Sequence, residues 1–229
     1  MLDCQNITFR YPNSTTDVFR NLCYTMIEPG FNALFGPSGV GKTSFAKIIT
    51  GDITDYDGEV RIDNMLSPLY SYNMERLPGW SGIGKHLKKI TPAEKQDQMN
   101  ELVQFFGLAE CIDSRFSQLS LGQKNRINLI RYLLQDFDML IMDESLANVD
   151  ERTREKIILK IKDMYPDKFF LYISHNVIEV STFCKEILVF RSAHKSPQTM
   201  LIRGQDHRTG RILNKSRLEQ TMLEIMNAS

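Results

Sequence analysis

Short apolar runs separated by stretches of helical period recur along the chain, and their order predicts alternating strands and helices. Apolar alternation at Ile7 and Phe9, then at Leu22, Tyr24 and Met26 before a Pro29-Gly30 turn, predicts an antiparallel β lead-in. Phe31 to Phe35, FNALF, reads as a buried strand, and the later SFAKIIT as a helix. Gly51 to Gly58 is polar and turn-rich, and Glu59 to Ile62 reads as another short strand. Between Ser67 and Gly84 the pattern is irregular, broken by Pro68, Pro78 and Gly79, so a long loop is expected there. Thr91, Pro92 and Glu94 make a capping-box start for a helix running to Gly107, with Met99, Leu102, Val103 and Phe106 on its apolar face. Ser120 is placed to cap a helix through Leu134, and Asp150 one that ends near Tyr165-Pro166. Met139 to Met142, Phe169 to Ile173 and Ile187 to Phe190 read as strands, and Ser216 to Met226 as a terminal helix. Strands alternating with helices imply a largely parallel sheet.

Composition narrows the partners. A chain of 229 residues with 42% hydrophobic content can bury one core, with a subdomain at most. Lys+Arg and Asp+Glu are both 28 and no long basic run occurs, so no nucleic acid is expected as the principal partner. Cys4, Cys23, Cys111 and Cys184 show no CxxC spacing, which suits a reducing, cytoplasmic setting. The start, MLDCQNITFRYPNS, lacks the basic and apolar regions of a signal peptide, and no apolar run approaches bilayer length. Any membrane role is therefore expected through a partner.

The chemistry is concentrated in two places. Gly36, Pro37, Ser38, Gly39, Val40, Gly41, Lys42 and Thr43 spell GPSGVGKT, a complete GxxxxGK[ST] phosphate loop set between a strand and a helix. Its glycines let backbone N–H groups curl around phosphates, Lys42 reaches the β- and γ-phosphate oxygens, and the Thr43 hydroxyl ligates Mg²⁺. The helix that follows, through Ser44, adds its dipole to the anion site. Met139 to Glu144 reads MLIMDE, a buried strand presenting two acids at its end. Asp143 is placed to hold Mg²⁺ and Glu144 to orient or deprotonate the attacking water.

Gln118 to Arg126, QLSLGQKNR, resembles the LSGGQ signature and basic segment of the ATP-binding-cassette family. The phosphate loop, signature, acidic strand, SLANVD at Ser145 to Asp150 and YISHN at Tyr172 to Asn176 come in that family's order, over roughly Leu2 to Phe190. The resemblance implies an α/β P-loop NTPase core with a mostly parallel sheet, an antiparallel β lead-in and a short helical subdomain. It places the nucleotide core at about 1–66 and 136–195, the helical subdomain at about 67–135 and a tail at 196–229. It implies ATP and Mg²⁺ as cofactors, with Lys42, Glu144 and His175 as the catalytic set and His175 as the switch that contacts the γ-phosphate. Ser120, Leu121, Gly122 and Gln123 would be the signature offered in trans, with Ser120 and the Gly122 backbone contacting the γ-phosphate held by a second subunit, since a helix start offers unpaired N–H groups. Asp150 would cross the dimer interface, capping its helix as well, and Tyr11 would stack on adenine.

Three departures stand out. Leu121 takes the place of the first signature glycine, and Ser145 that of a proline usual after the catalytic glutamate. The loop glutamine that senses the metal and water is missing, with Asn73 the candidate to replace it, through a water or with weakened sensing. The segment before the signature is also short. The family reading predicts a homodimer of ATPase subunits on the inner face of the membrane, driving a separate permease, with a solute-binding protein if it is an importer. FSQLSLGQ at Phe116 to Gln123 and LPGW at Leu77 to Trp80 resemble importers of the nitrate, sulfonate and taurine group. The alternative is a soluble cassette ATPase, for example of the iron–sulfur assembly type.

Overall fold

The fold is seen in a computed structural model, which describes residues 1–63, 68–73, 75, 82–191, 195 and 197–228. The importer-like LPGW tetrapeptide lies outside the described residues.

The lead-in forms as expected. Strands β1 (Leu2–Phe9), β2 (Phe19–Met26) and β4 (Asp57–Ile62) make a three-stranded antiparallel sheet with β1 central. Every second residue of β2 is buried, namely Phe19, Leu22, Tyr24 and Met26 with one irregularity, which is the period of a half-buried strand. A second sheet has the order β5 (Leu69–Tyr72), β6 (Met139–Asp143), β7 (Phe169–Ile173), β3 (Gly30–Phe35), β8 (Glu186–Phe190) and β9 (Thr199–Arg203). Its first five strands run parallel, and only β9 pairs antiparallel, with β8.

The parallel strands read as unbroken apolar runs because both faces are covered. In β6, Leu140 and Met142 enter the core beneath the helices, while Met139 and Ile141 enter the one shared with the antiparallel sheet. β7 divides the same way, Phe170 and Tyr172 against Phe169, Leu171 and Ile173. Phe170 stacks on Phe31 with ring centroids 4.7 Å apart, and each such buried ring contributes about 2–3 kcal/mol. Helix α1 (Lys42–Ile49) packs Phe45, Ala46, Ile48 and Ile49 into the second core, which anchors the phosphate loop from behind.

The middle of the chain departs from expectation. Leu69–Tyr72, read as loop, is strand β5, because pairing with β6 supplies the hydrogen bonds that its own sequence pattern does not advertise. Helix α2 (Ile83–Ile90) was not foreseen; its two buried positions, Ile83 and Leu87, are too few for a clear period. Thr91 caps nothing downstream, since its hydroxyl donates back to the Leu87 carbonyl at the end of α2. The expected helix from Thr91 to Gly107 is therefore a single 3₁₀ turn at Ala93–Lys95 followed by α3 (Gln96–Phe105), although Met99, Leu102, Val103 and Phe106 are buried as expected. Helices α4 (Leu121–Leu133) and α5 (Glu151–Met164) match their predicted spans, with Ser120 and Asp150 as caps. Helix α6 (Val177–Phe183) starts at the Asn176 cap, and α7 (Lys215–Ala228) forms in the tail.

Candidate functional site

The carboxyl ends of β3, β5, β6 and β7 lie along one edge of the sheet, where parallel strands leave a crevice for ligands. A cleft of about 850 Å³ opens there, lined by Ser38, Gly39, Gly41, Lys42, Thr43 and Ser44 of the loop and by Asp143 and Glu144, with Asn73 and Tyr11 also on its wall. That volume is in the range of cofactor sites. Gly36, Pro37 and Val40 do not line the cleft wall; Val40 packs on the core.

Two glycines make the loop possible. Gly36 has φ 147°, and a Cβ there would lie 2.6 Å from the Phe190 carbonyl oxygen. Gly41, the N-cap of α1 at φ 101°, would bring a Cβ within 2.4 Å of Val18 Cγ1. Lys42 arches back over the loop, its Nζ donating to the Gly36 and Pro37 carbonyls at 2.7 Å each. Partial burial pushes its pKa down, opposed by the carboxylates of Asp143 and Glu144.

Asp143 ends β6, buried at 8% exposure. Its Oδ2 accepts from the Thr43 hydroxyl at 2.7 Å and from the Tyr70 hydroxyl at 2.6 Å. Tyr70 was missed from sequence: it lies in the stretch read as loop, and only the β5–β6 pairing brings it to the acid. Burial, and donation to Asp143, push its phenol well above the ordinary value. The next residue, Glu144, turns the chain at φ 50°, an uncommon conformation for a side-chain-bearing residue. The turn lifts its carboxylate out of the strand, 3.4 Å from His175 Nδ1. His175 follows β7, the strand that separates β3 from β6.

A second missed group stands behind His175. Glu179, 5% exposed, accepts from Tyr172, Ser174 and Asn176 and pairs with Arg154 of α5, so the histidine turn is tied to the helix that begins at Asp150. A buried carboxylate with four partners is a rigid support.

The remaining predicted residues are placed as follows. Tyr11 shares a hydrogen bond of 2.7 Å with the Ser44 hydroxyl and sets its ring edge-on to Phe9, leaving about half of the residue exposed. Ser120 and Gln123 form a reciprocal capping box at the start of α4, at 3.2 and 2.9 Å, and Leu121 points outward. Neither Ser120 nor Gly122 lines the cleft of its own chain. Gly122 is required by its own chain as well, since a Cβ would meet the Asn148 carbonyl oxygen at 2.2 Å. Asp150 accepts from the Thr153 N–H at 2.9 Å.

The family model described as ABC transporter matches residues 20–147, more than half of the chain, and so takes in the phosphate loop, signature and acidic strand. The chain belongs to the ABC transporter family. The matched residues include Lys42, Ser120, Asp143 and Glu144, while Asp150 and His175 lie beyond them. Among similar proteins, the taurine import ATP-binding protein TauB of Pseudomonas entomophila is 27% identical over 206 residues, covering 82% of this chain and 78% of that one. The sn-glycerol-3-phosphate import ATP-binding protein UgpC of Chromobacterium violaceum is 24% identical over 210 residues, and this chain spans 57% of its length. Two solved structures share the fold, both at a TM-score of 0.70. One is the dimer of an ATP-binding cassette in a post-hydrolysis state with ADP and Pi, at 22% identity over 82% of this chain and 94% of that one. The other is a bacterial ABC exporter with ATP bound, at 19% identity over 82% of this chain and 36% of that one. Among the described residues, no helix of this chain is long and apolar enough to cross a membrane.

Proposed function

We propose that this ABC ATPase works as a pair: two copies close on two ATP molecules, hydrolyse them and drive a separate membrane permease from the inner face of the membrane, in an import system. The observation that carries the reading is the division of labour within one chain. Lys42, Thr43, Asp143 and Glu144 meet at the cleft, whereas the helix start at Ser120 to Gly122, with its phosphate-seeking N–H groups, does not line it. A second copy would supply that helix start.

The Thr43 hydroxyl and the Asp143 carboxylate suit Mg²⁺, since both are hard oxygen donors already converging on one point. When bound, that ion neutralises phosphate charge. The residues of the chain do the rest. The loop N–H groups and Lys42, released from the Gly36 and Pro37 carbonyls, hold the β- and γ-phosphates. Glu144, open to the cleft, takes a proton from water as the water oxygen attacks the γ-phosphorus; the bond from that phosphorus to the β,γ-bridging oxygen breaks, leaving ADP and phosphate. His175 positions Glu144 and reaches toward the γ-phosphate. The exposed ring of Tyr11 supports adenine stacking.

The segment about 67–135, with α2, α3 and α4, would face the permease, and the core about 1–66 and 136–195 would hold the nucleotide, with 196–229 as tail. The names of TauB and UgpC share import and differ in cargo, which supports an importer over a soluble assembly ATPase and leaves cargo choice to a permease and a solute-binding protein. The test is a pair of variants. Lys42→Ala should weaken ATP binding at least about tenfold by calorimetry. Glu144→Gln should keep ATP and shift to dimer mass by light scattering. An unchanged affinity in the first, or a monomer with normal turnover in the second, would refute the shared-site reading.

A further inference from the structure

The side chain at the glutamine-free loop position is already committed, and that commitment decides what it can offer a nucleotide. Asn125, on α4 and 4% exposed, donates from Nδ2 to the Asn73 Oδ1 at 2.8 Å and to the Ala147 carbonyl at 2.9 Å. A backbone carbonyl only accepts, so the contact with Ala147 fixes which end of the Asn125 amide is nitrogen. The Asn73 atom that faces this nitrogen must then be its oxygen. Turning the Asn73 amide over would set two N–H donors against each other in a nearly dry site.

Asn73 itself stands at the end of β5, where its backbone N–H donates to the Asp143 carbonyl at 3.1 Å, and it lines the cleft. With Oδ1 turned toward α4, the amide has Nδ2 left for the cleft. We propose that Asn125 is a positioning residue that makes Asn73 an N–H donor, aimed at a γ-phosphate oxygen or the attacking water, rather than a ligand of the metal. The proposal rests on the hydrolase reading above. Two residues on from Asn73, the Glu75 carboxylate accepts from Asn128 and Tyr132 at 2.8 Å each and pairs with Arg131 at 3.4 Å, all three on α4. The strand end at Asn73 is thus tied twice to the helix that starts at Ser120. Through Ala147, the same amide holds the turn that follows Glu144. A shift of α4 would carry the Asn73 donor with it, linking the signature helix of one site to the hydrolytic end of its own cleft.

The experiment uses the full chain, with single-turnover ATP hydrolysis, ATP affinity by calorimetry and Mn²⁺ affinity by electron paramagnetic resonance. Asn125→Leu keeps the size and removes the donor. Hydrolysis should fall about tenfold while ATP affinity stays within about twofold, and the same change in an Asn73→Ala background should cost less than about twofold more. Asn125→Gln, which restores a donor, should recover part of the rate. Asn125→Asp turns the partner into an acceptor, so the Asn73 amide should reverse, raising Mn²⁺·ATP affinity several-fold as hydrolysis falls. Equal losses from Asn125→Leu in both backgrounds, or unchanged Mn²⁺ affinity in Asn125→Asp, would overturn the proposal. If Asn125→Leu fails to fold, the near-isosteric Asp variant and Asn73→Ala still decide it. Native hydrolysis that survives Lys42→Ala would overturn the hydrolase reading and this one together; hydrolysis that needs Lys42 beside an additive cycle would overturn this one alone.

Discussion

Gly122→Ala separates two reasons for a glycine in the signature. In this chain the residue packs against the turn after Glu144, where a Cβ would sit 2.2 Å from the Asn148 carbonyl oxygen. Ordinary contacts of that type lie above 3.0 Å, so either α4 or the 145–150 turn must give way by roughly an ångström. Neither is soft: Asn125 ties both together, and Asn148 already holds φ 62°. Forcing backbone apart in a packed region costs about 2–3 kcal/mol. For a chain of 229 residues this lowers the melting temperature by about 4–12 °C. The assay is thermal melting of the nucleotide-free chain, monitored by far-ultraviolet circular dichroism. Leu121→Gly, at an outward-facing position one residue earlier, is the control and should shift the melt by less than about 3 °C. If Gly122→Ala melts with the native chain yet loses ATP-driven dimerisation, the packing argument is wrong, and the glycine serves only the phosphate across the interface.

The other predictions concern Asp143 in the cleft and Asp150 at the start of α5. Tyr70→Phe removes one of two donors to a buried carboxylate, a loss of about 1.5–3 kcal/mol; the nucleotide-free melt should drop by about 3–12 °C, and Mg²⁺ with ATP should narrow the gap. A melt identical to native without ligand would show that the Tyr70 hydroxyl contributes nothing. The hydrogen bond from the Thr153 N–H holds the Asp150 carboxyl below its ordinary pKa. Its cap therefore stabilises α5 fully above the ordinary carboxylate range and loses that contribution as pH falls through the lowered value. The difference in melting temperature between native and Asp150→Ala should be level from about pH 7 to 5 and shrink below about pH 4. A difference that grows on acidification would contradict the sign.

Much of the site was legible because its signals are local. GPSGVGKT carries its own strand, glycines and helix start, and the φ values of Gly36 and Gly41 show why those letters were needed. MLIMDE and FFLYIS announced buried strands by unbroken apolarity, and Ser120 and Asp150 announced caps by residue type and spacing. Local periodicity misled where hydrogen bonds come from elsewhere. Leu69–Tyr72 has no alternation of its own and becomes a strand only beside β6.

What the sequence determined by itself was the phosphate loop, the strands and helices on either side of the 67–90 stretch, and the acids at a strand end, because each depends on neighbours a few residues away. Tertiary structure decided the rest. It set Tyr70 on Asp143 across 73 residues, Asn125 on Asn73 across 52, and Gly122 against the Asn148 carbonyl. Such contacts follow from which strands adjoin and where α4 packs, and no spacing within either segment records its partner. The orientation of a single amide at Asn73, and with it the kind of group this site presents, is fixed by a carbonyl that local sequence does not reveal.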